Sequence, residues 1–243
     1  MTLLDLSGLV RNYHALRPLR VDSLSISAGD HLALVGFDQP AAETLINLIT
    51  GAFLPDQGQV SVFGQPTSAI ADSDQWLAVV DRFGIVSERA VLMDSMTVVQ
   101  NLAMPFSLEI EPPSDELRLR AATLARAVSI AERDFDRPLG QLDAETRLRV
   151  RFARALALEP SVLLIEHPTA ALERSRTAGL GRELRELISV RTAPDGQPLS
   201  SLTLTADQDF AEGFATTVLT WDPVTGRLAA PKRGWFGSGR RSL

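Results

Sequence analysis

Short apolar runs rich in β-branched or aliphatic residues recur along the chain, each closed by a polar or turn-forming stretch. Six of them predict strands: residues 32–35, 60–63, 83–87, 161–165, 202–205 and 217–221. Between them, apolar positions repeat at helical spacing. Residues 41–49 predict a short helix, and 114–131 a long one with Ser114 as N-cap and acids in its first turn. Residues 144–158 and 175–190 predict two more. Strands alternating with helices predict an α/β fold with a mostly parallel sheet, with ligands expected at the strand C-termini. Residues 93–158 hold long helices and no strand pattern, which predicts a helical lobe inserted into the core. The expected organisation is therefore one domain over 1–230, with an α/β core at 1–92 and 159–227 and the lobe at 93–158. Residues 231–243, rich in Gly, Ser and Arg, are expected to form a disordered tail.

Composition narrows the chemistry. A hydrophobic fraction of 45% over 243 residues excludes a disordered chain. No apolar stretch approaches the roughly 18 residues of a membrane helix. The first residues lack the charged start and long apolar run of a secretory signal, so a cytoplasmic location is expected. The absence of cysteine excludes disulfides, thiolate metal sites and cysteine nucleophiles, and His14, His31 and His167 are scattered rather than clustered. Every basic residue except Lys232 is arginine, and none lies between Arg20 and Arg82. Asp22, Asp30, Asp38, Glu43, Asp56, Asp72, Asp74 and Asp81 fill that gap, which excludes a nucleic-acid surface there.

The order of the pieces carries a resemblance. LALVGFDQPAAETLINLITGAFLPDQGQVSVFGQP resembles the strand, phosphate loop, helix and hairpin of an ABC transporter nucleotide-binding domain. FGIVSE, TVVQNLAMPF and ARALALEPSVLLIEHPTAAL follow in that family's order, the last being the most specific. The likeness runs over residues 4–227, and TVVQNLAMPF looks most like the lipid- and lipoprotein-handling branches. It implies a P-loop NTPase-like fold, ATP and Mg as cofactors, and a transmembrane transporter subunit as partner. It also implies composite sites, in which each ATP lies between the phosphate loop of one subunit and the signature of another.

Against that pattern the chemical positions are altered. A phosphate loop needs glycines at positive φ, free backbone N–H groups, a Lys for the phosphates and a Ser/Thr for Mg²⁺. By resemblance the loop here is Gly36, Phe37, Asp38, Gln39, Pro40, Ala41, Ala42, Glu43 and Thr44. Gln39 and Ala41 replace glycines, Pro40 lacks an N–H, Ala42 stands at the lysine position, and Glu43 adds negative charge at the metal position. With no lysine outside the tail, only an arginine from the helical lobe or a partner chain is expected to reach this loop. Glu88 matches the glutamine-loop position, where a carboxylate can take Mg²⁺ but an exposed strand-end Glu is the simpler reading.

Glu166 matches the Walker B Asp, and His167 the general-base Glu, where an imidazole can still take a proton from water. The signature positions are Leu142, Asp143, Ala144, Glu145 and Thr146, without the usual Ser and glycines. Ala206 replaces the switch histidine, and Tyr13 matches the aromatic that stacks on adenine.

A fold kept without its chemistry suggests a pseudo-ATPase docked on a transmembrane subunit, through a face around residues 88–106, or on an active ABC ATPase homologue. Two alternatives stay open: a slow ATPase using Glu166 and His167, and a soluble regulator binding another ligand in the altered pocket. Lys232, Arg233, Trp235, Phe236, Arg240 and Arg241 give the tail a basic and aromatic character suited to a membrane surface.

Overall fold

The structure is a computed structural model that describes residues 1–13 and 15–231. His14 and the tail from Lys232 onward lie outside the described residues, so the expected disordered tail and its membrane contact do too.

Two sheets divide the strands. An antiparallel sheet of order β2-β1-β4-β5 is built from β1 (Thr2–Arg11), β2 (Leu19–Ser27), β4 (Gln57–Val62) and β5 (Gln65–Pro66). A second sheet has the order β10-β9-β3-β8-β7-β6, with β3 (His31–Val35), β6 (Phe83–Val86), β7 (Val162–Glu166), β8 (Ser200–Thr205), β9 (Thr217–Trp221) and β10 (Leu228–Ala229). All pairings in it are parallel except that of β10 on β9. The six strands expected from the apolar runs are all present. The one at 60–63 stops at Val62, because Phe63 and Gly64 turn through positive φ.

The helices are α1 (Gln39–Ile49), α2 (Ser73–Val80), α3 (Val98–Ala103), α4 (Asp115–Ala127), α5 (Ala144–Leu156), α6 (Arg174–Ser189) and α7 (Gln208–Phe214). Ser114 caps α4 as expected, its side chain accepting from the Leu117 N–H. That helix ends at Ala127 rather than running to 131, because Val128 leaves helical geometry and Ser129 sits at φ 60°. The turn lets Ile130 fold back into the core.

Two large apolar cores and a small cluster of Ala33, Ala211 and Ala215 result among the described residues. One fills the space between the sheets and is closed by Leu45, Leu48 and Ile49 of α1. The other joins α3, α4 and α5 to β6 and β7, with Leu180, Leu184 and Ile188 of α6 packed in. Parallel pairing brings the C-terminal ends of β3, β6, β7 and β8 to one edge of the second sheet. There the chain leaves the strands at Gly36, Ser87, His167 and Ala206.

Candidate functional site

The loop after β3 is closed by its own hydrogen bonds. Gly36 sits at φ 105°, and a Cβ on it would meet the Trp221 carbonyl oxygen at 3.3 Å. Its N–H donates to the Thr205 carbonyl at 3.1 Å. Phe37 is buried and stacks on Trp221, with ring centroids 4.2 Å apart. Asp38 then caps α1: its Oδ1 accepts from the Ala41 N–H at 2.9 Å, and its carbonyl accepts from the Ala42 N–H at 3.0 Å. Pro40 has no N–H, and its carbonyl accepts from Thr44 Oγ1 at 2.7 Å. A helix N-terminus attracts anions through free N–H groups. At this one, the Asp38 carboxylate already fills that role.

Above the loop, one arginine joins two carboxylates. Arg89, in the segment between β6 and α3, donates from one terminal nitrogen to Glu43 Oε1 at 3.1 Å. Its other terminal nitrogen donates to Glu166 Oε2 at 2.8 Å. Gln39 donates its side-chain amide to the second oxygen of Glu166. The Glu166 side chain is 0% exposed and that of Arg89 is 37% exposed. A buried carboxylate is tolerable when paired and hydrogen-bonded, and this fork supplies both conditions.

Two expectations are thereby corrected. The basic group that reaches the loop is Arg89, which precedes the helical lobe expected at 93–158, rather than an arginine from within that stretch. Glu43 is also paired rather than left as a bare repulsive charge.

Glu88 takes no part in this cluster. It is exposed, with its carboxylate 4.0 Å from a terminal nitrogen of Arg151. Among the described residues, no group of three or more His, Asp or Glu side chains is placed to hold a metal ion.

His167 follows Glu166 at φ 41°, a left-handed conformation uncommon for a side chain of this size. Its N–H donates to the Leu204 carbonyl at 2.9 Å, while its buried Nε2 has no hydrogen-bond partner. With Thr169, Ala206 and Asp207 it lines a cleft of about 430 Å³. Asp207 accepts from Thr169 Oγ1 at 2.8 Å and from the Phe210 N–H at 3.0 Å. Tyr13 lines a separate cleft of about 340 Å³, alongside Pro40, Glu43, Thr44 and Asn47. Partial burial raises its phenol pKa above the usual value, and the nearby Asp38 carboxylate adds to that.

At the signature positions, Leu142 and Ala144 are partly buried, and Asp143 caps α5 by accepting from the Thr146 N–H at 2.7 Å. That hydrogen bond is the main reason its carboxyl is held below the usual range, with Arg176 and Arg149 assisting. Glu145 accepts from Arg149 at 2.9 Å and from Arg176 at 2.6 Å. Both carboxylates are thus engaged within the chain, Asp143 by the helix end and Glu145 by two arginines.

Arg89 is the residue that sequence reasoning missed. Its one signal is position: it follows Glu88 directly, and it is the first basic residue after Arg82.

The model of the ABC transporter family matches residues 19–170. The chain belongs to the ABC transporter family. It is an ATP-binding cassette with that family's α/β, P-loop NTPase-like fold. It is 30% identical over 223 residues to a sulfate/thiosulfate import ATP-binding protein of Methylococcus capsulatus, covering 89% of this chain and 59% of that relative's length. A lipoprotein-releasing system ATP-binding protein of Psychrobacter arcticus is 30% identical over 166 residues, 68% of this chain and 73% of the relative. A solved dimeric ATP-binding cassette in a post-hydrolysis state, bound to ADP and phosphate, superposes with a TM-score of 0.68. The superposition covers 90% of this chain and 94% of that one at 22% identity. No helix among the described residues of the cassette is long and apolar enough to cross a membrane.

Proposed function

We propose that this cassette is a pseudo-ATPase: a docking or regulatory subunit of a membrane transport complex, with ATP binding and hydrolysis weak or absent. The observation that carries this reading is the Arg89 guanidinium lodged between Glu43 and Glu166. The residues present do not fit a magnesium-bound triphosphate. Glu43 and Glu166 are already paired with Arg89, Asp38 fills the α1 N-terminus, and Ala42 offers no cation. Losing two or three charge-assisted hydrogen bonds, at about 1.5–3 kcal/mol each, weakens binding by a factor of roughly a hundred or more.

Residues 1–230 act as one cassette, with 93–158 as its helical lobe, at the cytoplasmic face of the membrane. The partner is a transmembrane subunit, an active homologue, or both. A cleft of about 250 Å³ lined by Ile85, Ala90, Met104, Pro105 and Arg154 supports docking near residues 88–106. Contact of the basic tail with the membrane surface belongs to the same proposal.

A second reading has its own support. The relatives are named as ATP-binding proteins, one of them for import, and the dimeric cassette holds ADP and phosphate. These favour a slow, genuine ATPase with Glu166 toward metal and His167 as base, and the unpartnered Nε2 of His167 suits a proton acceptor. Phosphate release from saturating Mg-ATP separates the two. The pseudo-ATPase gives no release above the buffer rate, whereas the second reading gives turnover that His167→Ala abolishes.

A further inference from the structure

Arg89 is the meeting point of three elements. Glu43 lies on α1 just past its first turn, Glu166 ends β7, and Arg89 belongs to the segment that leaves β6 for α3. Further along, that segment is tied to the helices. Arg154 of α5 donates to the Val91 carbonyl at 2.7 Å, Arg147 pairs with Asp94 at 2.7 Å, and Asn101 of α3 exchanges hydrogen bonds with Met93. Arg89 therefore links α1 and β7 to a strip of chain already fixed on α3 and α5.

A guanidinium suits this place better than an ammonium. It is planar, and two of its nitrogens can satisfy two separate carboxylates at once. The donor set around it is made of hard oxygens, a pair of carboxylates beside the Gln39 amide. That is the chemistry divalent cations such as Mg²⁺ and Mn²⁺ prefer.

We propose that Arg89 is a tethered cation: its guanidinium fills, from within the chain, a divalent-cation position between Glu43 and Glu166, and so holds this site closed without metal. The proposal deepens the pseudo-ATPase reading and rests on it for the absence of metal chemistry here. The guanidinium offsets one of the two carboxylate charges, and it does so as part of the chain rather than as a soluble ion. Metal concentration then has no hold on the position of the segment at 87–97.

The test is a Mn²⁺ titration of the full chain without nucleotide, followed by electron paramagnetic resonance of free Mn²⁺. Wild type is expected to leave millimolar Mn²⁺ free. Arg89→Gln is expected to gain one saturable site at least tenfold tighter than any wild-type binding, and Arg89→Gln/Glu166→Gln to lose it. Wild type binding Mn²⁺ as tightly as Arg89→Gln overturns the proposal. So does a folded Arg89→Gln, by circular dichroism, that gains nothing. Should Arg89→Gln not fold, Arg89→Lys keeps the charge but cannot fork to both carboxylates. A weaker gain is expected there, and its absence overturns the proposal equally. Turnover of Mg-ATP by wild type would instead overturn the pseudo-ATPase reading, through a readout these titrations do not use.

Discussion

Glu166 is wholly buried, and its two oxygens are held by Arg89 and Gln39. Removing one partner of a buried ion pair strands the other charge. Arg89→Ala is therefore expected to destabilise the chain by about 2–3 kcal/mol, a value lowered from the fully buried case by the exposure of Arg89. Glu166→Gln in the same chain should restore most of that loss, and urea midpoints of the two variants check it. A second buried group makes stability depend on pH. His31 is buried with Nδ1 3.0 Å from Ser201 Oγ, and burial lowers its pKa, with Arg185 assisting and Asp30 opposing. The unfolded chain takes up this proton near pH 6.5, roughly the free imidazole value, and the native chain only at lower pH. The His31 contribution is thus fully present above that value and lost as pH falls below it, by at most about 1.4 kcal/mol per pH unit. His31→Gln should flatten the fall in urea midpoint between about pH 7.5 and 5.5, on either side of the free imidazole value. An equal slope in both proteins would remove His31 as its source.

At the level of single elements, the N-terminus of α5 is satisfied from within the chain. Asp143 caps the helix and Glu145 gathers Arg149 and Arg176, so the helix end is satisfied without a ligand. Asp143→Ala is expected to cost about 1 kcal/mol of stability, as lost N-caps do, and Asp143→Asn to cost little. Thermal unfolding of the two variants distinguishes a cap from a ligand group. Elements with an unbroken apolar period were legible from sequence, as β3, β7, β8 and α5 show. The strands β1 and β2 were not, for a physical reason. Their buried positions change phase: Leu4 and Leu6 are followed by Leu9 across Gly8 at φ 56°, and Leu19 and Val21 by Leu24 and Ile26. The register of β1 on β4 shifts between Ser7 and Val10, and the phase change on both strands erases the alternation that marks a strand. The residues expected at the loop, signature and switch positions fall at element ends, after β3, before α5 and after β8. Arg89 was not legible, because a lone arginine in a connecting segment carries no period. Only the folded chain brings it to Glu43 and Glu166.

For the whole molecule, the fold is that of an ATP-binding cassette while the groups around its loop are tied to one another. In a pair with an active homologue, one composite site would hold Ala42 and the Arg89-bound Glu43. The other would face an α5 end with Asp143 at the position where the resemblance implies a Ser hydroxyl. On the pseudo-ATPase reading proposed above, neither arrangement gains stabilisation at the transition state. Adding this chain is accordingly expected to leave turnover per active subunit unchanged, or to lower it where mixed dimers displace active ones. Stimulation lost with His167→Ala would identify a working catalytic partner instead. The most direct test of the central claim is calorimetric titration of the purified chain with Mg-ATP. The site as built, with Asp38 on the α1 N-terminus and Arg89 between Glu43 and Glu166, predicts no saturable heat up to millimolar nucleotide. A single site of micromolar affinity would contradict it.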